Sequence, residues 1–270
     1  MNRFLTFSFL WWKLLLAPGV GAQCDIDSPT SFLPGEFVRY EVAYNWGYLW
    51  VNAGEVYFRA DTLTFQQVPC WTFESYGTSY KFYDWLFKVR DHFQSKVTMD
   101  SFQPIWFQQN TYEGGYTVNN RFDFDPLRGQ VIAAVQNSNK PLTIDTLNLP
   151  PCTFDVLSAI YHTRNLRFDR LNKGEKVPVK VIIDNEFFDL YIRYLGKEPV
   201  KTRDGKIYDC IKFSALLVDG TIFKGGEDLF VWITDDENKI PVMAEAKILI
   251  GSVKAYLIEY RNLKEELKYR

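Results

Sequence analysis

Beyond Pro34 the chain alternates. Val38, Tyr40, Val42, Tyr44 and Trp46 are separated by Arg39, Glu41, Ala43 and Asn45, a period of two that marks a half-buried β-strand. Residues 49–58 read as a second strand, interrupted at Ala53-Gly54 by a bulge or bend. Residues 70–75 read as a third. Residues 82–96 are rich in aromatic and β-branched side chains and continue the series. Residues 105–112 and 116–124 flank Glu113-Gly114-Gly115 and predict a hairpin.

Pro150-Pro151 closes this first β region. Thr153 or Asp155 then offers a side-chain oxygen to cap a helix over about 156–168, the one main helix of the chain, near 155–169. Asn172-Lys173-Gly174 ends it. Strand-like segments resume at 177–183, 187–194, 207–217, 221–233, 241–250 and 253–260, and glycine turns such as Asp204-Gly205 and Gly251-Ser252 punctuate them. The pattern predicts an all-β, mainly antiparallel protein.

The two β regions carry the same landmarks. Gly35-Glu36 corresponds to Gly174-Glu175 at an offset of 139, and Cys70 with Phe73 to Cys210 with Phe213 at 140. Pro104 and Gly114 correspond to Pro241 and Gly251, both at 137. Two similar halves, 34–126 and 174–262, are expected, joined by the helix. Each half is too small to cover both faces of its own sheet, so the halves should close against each other.

The first 22 residues have a different character. Arg3 precedes an apolar run from Phe4 to Leu16, and Val20-Gly21-Ala22 sets up cleavage between Ala22 and Gln23. This is the layout of a secretory signal peptide, and Pro18-Gly19 break the run well short of a membrane span. The expected plan is a signal at 1–22, an extension at 23–33, one domain at 34–262 and a charged, fraying tail at 263–270. Without Arg3 and Lys13 the mature chain holds 29 bases against 33 acids, which speaks against a phosphate-tracking nucleic-acid binder. No later stretch has the length and apolarity of a transmembrane helix.

Cys24, Cys70, Cys152 and Cys210 show no C-x-x-C spacing, which removes zinc-ribbon and thioredoxin readings. Export permits disulfides, whose pairing the sequence leaves open. A chain of this size can instead bury all four as small apolar side chains, and that is the expectation here. Cys24 also poses the question of lipidation, against which Gln23 before it argues.

Chemistry-bearing motifs are sparse. The sequence contains no G-x-S-x-G, P-loop, dinucleotide fingerprint or H-E-x-x-H, and only His92 and His162 as imidazoles. No catalytic residue, metal site or cofactor is assigned. Asp235-Asp236-Glu237 is the one acidic cluster that a carboxylate-based glycan hydrolase could use, and acids so placed more often cap a turn. The aromatic residues stand out more. Tyr44, Trp46, Tyr48 and Trp50 share one face if their segment stays extended, and Gly47 scatters them if it turns. With Trp85 and Trp106, on other predicted strands, they are the candidate ligand surface, able to stack on sugars or line an apolar cavity.

A further series of phrases is recognisable as a set. Trp50-Val51-Asn52-Ala53 leads into Gly54-Glu55, and Phe154-Asp155-Val156-Leu157-Ser158-Ala159-Ile160-Tyr161 is followed by Arg164. Val231-Trp232-Ile233-Thr234-Asp235-Asp236 runs towards Ile240-Pro241-Val242, and Lys247-Ile248-Leu249-Ile250-Gly251 precedes Ser252-Val253-Lys254-Ala255. In these the chain resembles the exported bacterial family called domain of unknown function 3108, over about residues 34–262. The resemblance implies a predominantly β, barrel-like fold of the YmcC type in Gram-negative envelopes, of the Bacteroides kind. It carries no established activity and no catalytic residues to transfer. The expectation is therefore a non-enzymatic protein of the periplasm or outer-membrane surface. It would bind an apolar or glycan ligand or an envelope protein partner. The alternatives are a purely structural interaction module and, last, the glycan hydrolase.

Overall fold

Strand after strand, the alternating segments add to a single sheet. The computed structural model describes residues 31–46, 49–218, 225–248 and 251–270. The strands are β1 (Glu36–Trp46), β2 (Leu49–Phe65), β3 (Val68–Ser79), β4 (Val89–Thr98), β5 (Pro104–Glu113), β6 (Tyr116–Asp125), β7 (Gln130–Asn137) and β8 (Lys140–Asn148). After the short β9 (Thr153–Phe154) come β10 (Lys176–Ile183), β11 (Glu186–Lys201), β12 (Ile207–Leu217), β13 (Gly226–Thr234), β14 (Pro241–Lys247) and β15 (Ser252–Arg261). Among the described residues two short α-helices interrupt them, α1 (Asp84–Phe87) and α2 (Val156–Arg164).

From β1 to β8 and from β10 to β15 chain neighbours pair antiparallel, β9 pairs parallel with β10, and β1 also pairs antiparallel with β15. The order is thus β8 to β1, then β15 down to β9. Backbone hydrogen bonds along β1 and β15 join the two β regions edge to edge. The other edges, β8 and β9, form a seam. Side chains reach across it: Asn120 Nδ2 donates to Asp184 at 2.8 Å, and Asn185 Nδ2 to Asp145 at 3.4 Å.

The two ends of this barrel-like wrap differ. At one end lie the hairpins 46–49, 113–116, 137–140 and 183–186 and the link 80–88. The other end holds α2. Its amino terminus is capped by Asp155, whose Oδ1 accepts the Leu157 and Ser158 amides, each at 2.9 Å. Asp155 Oδ2 accepts the Ser95 hydroxyl at 2.7 Å, tying the cap to β4. Tyr161 stacks on Phe73 of β3, with centroids 3.8 Å apart, and Phe32 meets Tyr161, Phe73 and Trp71 edge-on. The helix and the inserted extension plug this end with aromatic side chains.

Several expectations are corrected. The helix stops at Arg164 because Leu166 and Phe168 turn inward; Phe168, in a 3-10 turn, stacks on Phe213 at 5.6 Å. Residues 81–87 are helical turns, because Ser79 and Arg90 hold Asp84 and pull the chain out of the extended form. The hairpin β7–β8 falls in a stretch without expected strands, although Val131, Ala133 and Val135 alternate there. The tail is tied down: Arg270 and Ile207 exchange backbone hydrogen bonds of 2.9 and 3.0 Å, and Leu267 is buried. Cys152 is in a disulfide, so not all four cysteines are plain core residues; Cys70 and Cys210 are free, buried thiols. The signal peptide, its cleavage position at Ala22 and Gln23, and Cys24 lie outside the described residues.

The repeated landmarks fall on corresponding strands. Gly35 and Gly174 precede β1 and β10, Cys70 and Cys210 lie in β3 and β12, and Pro104 and Pro241 begin β5 and β14. The Ala53-Gly54 interruption is a bulge: Val42 pairs with Gly54 and Ala43 with Asn52.

Candidate functional site

Alternation gives every long strand one inward row. The inward rows of β1–β8 and β10–β15 surround one cavity of about 2230 Å³, against roughly 300–1,000 Å³ for an ordinary small-molecule pocket. Its floor is α2, through Val156, Ile160 and Tyr161. Ile160 keeps 43% of its surface accessible, although it sits on that floor. Opposite that floor the lining runs out to the hairpin tips, through Asn45, Tyr116, Asn137, Lys140 and Asn185, which makes the hairpin end the mouth.

The walls are unlike each other. On the β10–β15 side they are aliphatic, with Val179, Val181, Leu190, Ile192, Val231 and Val253. On the β4–β6 side they carry a polar strip of Asp91, Gln109, Thr111, Glu113 and Asn120. Asp91 accepts the Tyr112 amide at 3.3 Å and hydrogen-bonds Glu113. Burial, then the neighbouring Glu113 carboxylate, pushes the Asp91 carboxyl up to about 7. Burial raises Glu113 as well. Two neighbouring carboxyls in a half-dry wall disfavour being ionised together, so the strip is less negative than two free carboxylates would make it.

The expected aromatic surface is dispersed. Tyr44 lines the cavity. Trp50 lies beyond the hairpin turn on the outer face, 39% exposed, with Lys254 Nζ 4.8 Å from its ring centre. Trp46 ends β1 opposite Leu49; its side chain, and Tyr48, lie outside the described residues. Trp85 is on α1 and not on a strand, and is 79% exposed. Trp106 is on β5 as expected, but on the outer wall beneath Lys96 Nζ, 3.3 Å from the ring centre, and beside Phe65. The pairing of Trp46 with Leu49 between β1 and β2, and the strand alternation, separate them, since neighbouring strand positions face opposite sides. Asp91, Glu113, Ile160, Leu86 and Phe87 line the cavity instead. Alternation along β4 and β5 hinted at the first two; only closure of the sheet put them on an inner wall.

The acidic turn is engaged. Asp235 pairs with Lys197 at 2.6 Å, and Asp236 Oδ1 accepts the Asn238 and Lys239 amides at 3.0 and 3.1 Å. Lys264 holds Glu237 at 3.1 Å. His92 bonds Glu74 at 2.8 Å, outside the cavity lining. His162 is buried against Phe154, which pushes its imidazole down to about 4. Among the described residues no cluster of three or more histidine, cysteine, aspartate or glutamate side chains is arranged to hold a metal ion, and no helix is long and apolar enough to cross a membrane.

Comparison with known families decides the kinship. The profile of the family described as "Protein of unknown function (DUF3108)" matches residues 39–258. The chain belongs to this family. The match runs from β1 to β15, so the DUF3108 domain includes both strands that join the halves. No curated protein sequence matches the chain. Among solved structures, a beta-barrel-like protein of domain of unknown function DUF1849 from Brucella abortus is similar, with a TM-score of 0.56 at 9% identity. The similarity covers 87% of this chain and all of that one. At that identity the likeness concerns the fold. The DUF3108 domain is thus a β-barrel-like protein of unknown function.

Proposed function

We propose that this DUF3108 domain is a carrier or receptor for an amphiphile with a long apolar body, held inside the barrel. One observation carries the reading: a single cavity of about 2230 Å³, aliphatic on one side, with a polar strip on the other. An apolar body gains free energy on the aliphatic side, and its polar group pairs with the strip. The Asp91–Glu113 pair favours a neutral or cationic polar group over an anionic one. The outward positions of Trp50 and Trp106 favour an acyl-type ligand over a sugar. Export to the envelope belongs to the same reading, supported by the apolar amino-terminal run and by the Cys152 disulfide.

The test is displacement fluorimetry with N-phenylnaphthylamine, together with native mass spectrometry of protein taken from its own host. Ala255→Trp and Ala215→Trp place bulk in the cavity and should weaken the probe on the order of tenfold or more. A purified protein that holds no lipid, and a probe that neither binds nor responds to these variants, would overturn the reading.

A second reading, as an interaction module, draws on β8. This strand is an edge of the sheet and exposes Leu142 (55%) and Ile144 (65%). Loss of pull-down partners in Leu142→Lys/Ile144→Lys, with probe binding intact, would favour it.

A further inference from the structure

The link between β3 and β4 stands at the mouth and breaks the usual rule for surfaces. Phe82 is 76% exposed, Trp85 79%, Leu86 51% and Phe87 49%. Four large apolar side chains within six residues form a patch of the kind that monomeric proteins avoid unless something covers it. The segment is also held in place. Ser79 Oγ and Arg90 Nη2 both bond the Asp84 carboxylate, at 2.6 Å each, and the Gly114 amide donates to Lys88 O at 2.8 Å. Phe87 lies over Gly114 so closely that a Cβ there would come within 2.3 Å of its ring. A frayed loop would not be braced at three points.

Its charge pattern selects the partner. Asp84 is the segment's only acid, and Arg90 neutralises it. The exposed Lys81 and Lys88 flank the apolar tip. An aromatic tip between cations, on a domain that is acidic overall, matches an anionic bilayer surface: the rings enter the interfacial layer and the ammonium groups meet the phosphates. Leu49, on β2 at the same end of the barrel, is 71% exposed as well. The tip is continuous with the cavity, since Leu86 and Phe87 belong to the cavity wall.

We infer that residues 81–88 are a membrane-docking tip, which seats the mouth of the barrel on an anionic lipid surface so that an amphiphile passes between bilayer and cavity without crossing water. The transfer step rests on the cavity reading above; the docking step stands on the tip alone. The tests keep the two apart. Vesicles of phosphatidylcholine with phosphatidylglycerol should sediment the protein, and phosphatidylcholine alone should do so more weakly. Brominated acyl chains should quench the wild type more than Trp85→Phe. Phe82→Ser/Trp85→Ser alters two exposed side chains outside the cavity lining. It should lose vesicle affinity on the order of tenfold or more and bind N-phenylnaphthylamine unchanged. Lys81→Glu/Lys88→Glu should abolish the preference for anionic vesicles. Absence of vesicle binding by the wild type, or equal binding by the serine variant, sinks the docking tip, whatever the probe does. Vesicle binding without probe binding sinks the cavity reading and leaves the tip.

Discussion

The guanidinium of Arg164 grips the carboxylate of Glu36 from the buried end of α2, Nη1 to Oε1 at 2.6 Å and Nη2 to Oε2 at 2.9 Å. Nη2 also donates to the carbonyls of Ser31 and Asn238, at 2.9 and 2.8 Å. One side chain thereby ties the helical plug to the first residue of β1, to the inserted extension and to the β13–β14 loop. Neither member of the pair has more than a few per cent of its side chain exposed.

Removing one partner leaves the other as an uncompensated buried charge. Arg164→Ala or Glu36→Gln should therefore cost about 3–5 kcal/mol in urea unfolding. Arg164→Met/Glu36→Leu should recover part of that loss, because the desolvation penalty disappears with the charges. Equal stability of single and double variants would show that the pair is not coupled.

Gly54 sits beside the β2 bulge, where a Cβ would come within 2.2 Å of the Thr78 carbonyl oxygen. Backbone cannot swing aside as a side chain can. Gly54→Ala should destabilise the fold by about 1–3 kcal/mol and lower the melting temperature. Because the neighbouring Ala53 carbonyl accepts the Tyr80 amide at 2.8 Å, the variant should also loosen the docking tip, read as faster amide exchange at residues 80–88.

Two carboxyls and one imidazole give opposed pH dependences. Asp91 has its carboxyl raised to about 7 in the fold, so the folded state binds more protons than the unfolded one from about pH 4 to 7. Its contribution is complete below about pH 4 and is lost as pH rises through 7. Asp155, raised to about 6 by burial, acts in the same direction. His162 is lowered to about 4; its contribution is complete above about pH 6.5 and is lost as pH falls through 4. Chemical denaturation against pH should show Asp91→Asn gaining stability relative to wild type as pH rises from 4 to 8. His162→Phe should gain relative to wild type as pH falls from 6.5 to 4, by up to about 2–3 kcal/mol. Profiles parallel to wild type would contradict both assignments.

Burial raises both free thiols, Cys210 to about 12. Thiolate is the reactive form. Cys70 and Cys210 should resist iodoacetamide in the native protein and react once guanidinium unfolds it, as followed by intact mass.

The alternation at 38–46, the capping oxygen of Asp155 before an apolar run, and the glycines at 114 and 251 were enough to specify strands, one helix and their turns. These are local signals, because a strand's period and a helix cap depend on residues within a few positions of each other. The repeated landmarks are local too, and superposing residues 34–126 on 174–262 checks the equivalence in three dimensions. What alternation alone could not supply was which face is inside. The Tyr44–Trp50 run is split between β1 and β2, which pair at Trp46 and Leu49, so Tyr44 enters the cavity while Trp50 leaves it, and Trp106 caps the outer wall beneath Lys96. Asp91 and Glu113 became neighbouring carboxyls only when β4 and β5 aligned, and residues 81–87 left the strand pattern only because Ser79 and Arg90 hold Asp84. Sequence marked most of the ribbons, though not β7 and β8; closure of the sheet, which sums contacts between residues more than a hundred positions apart, decided where the cavity, its charge and its mouth would be.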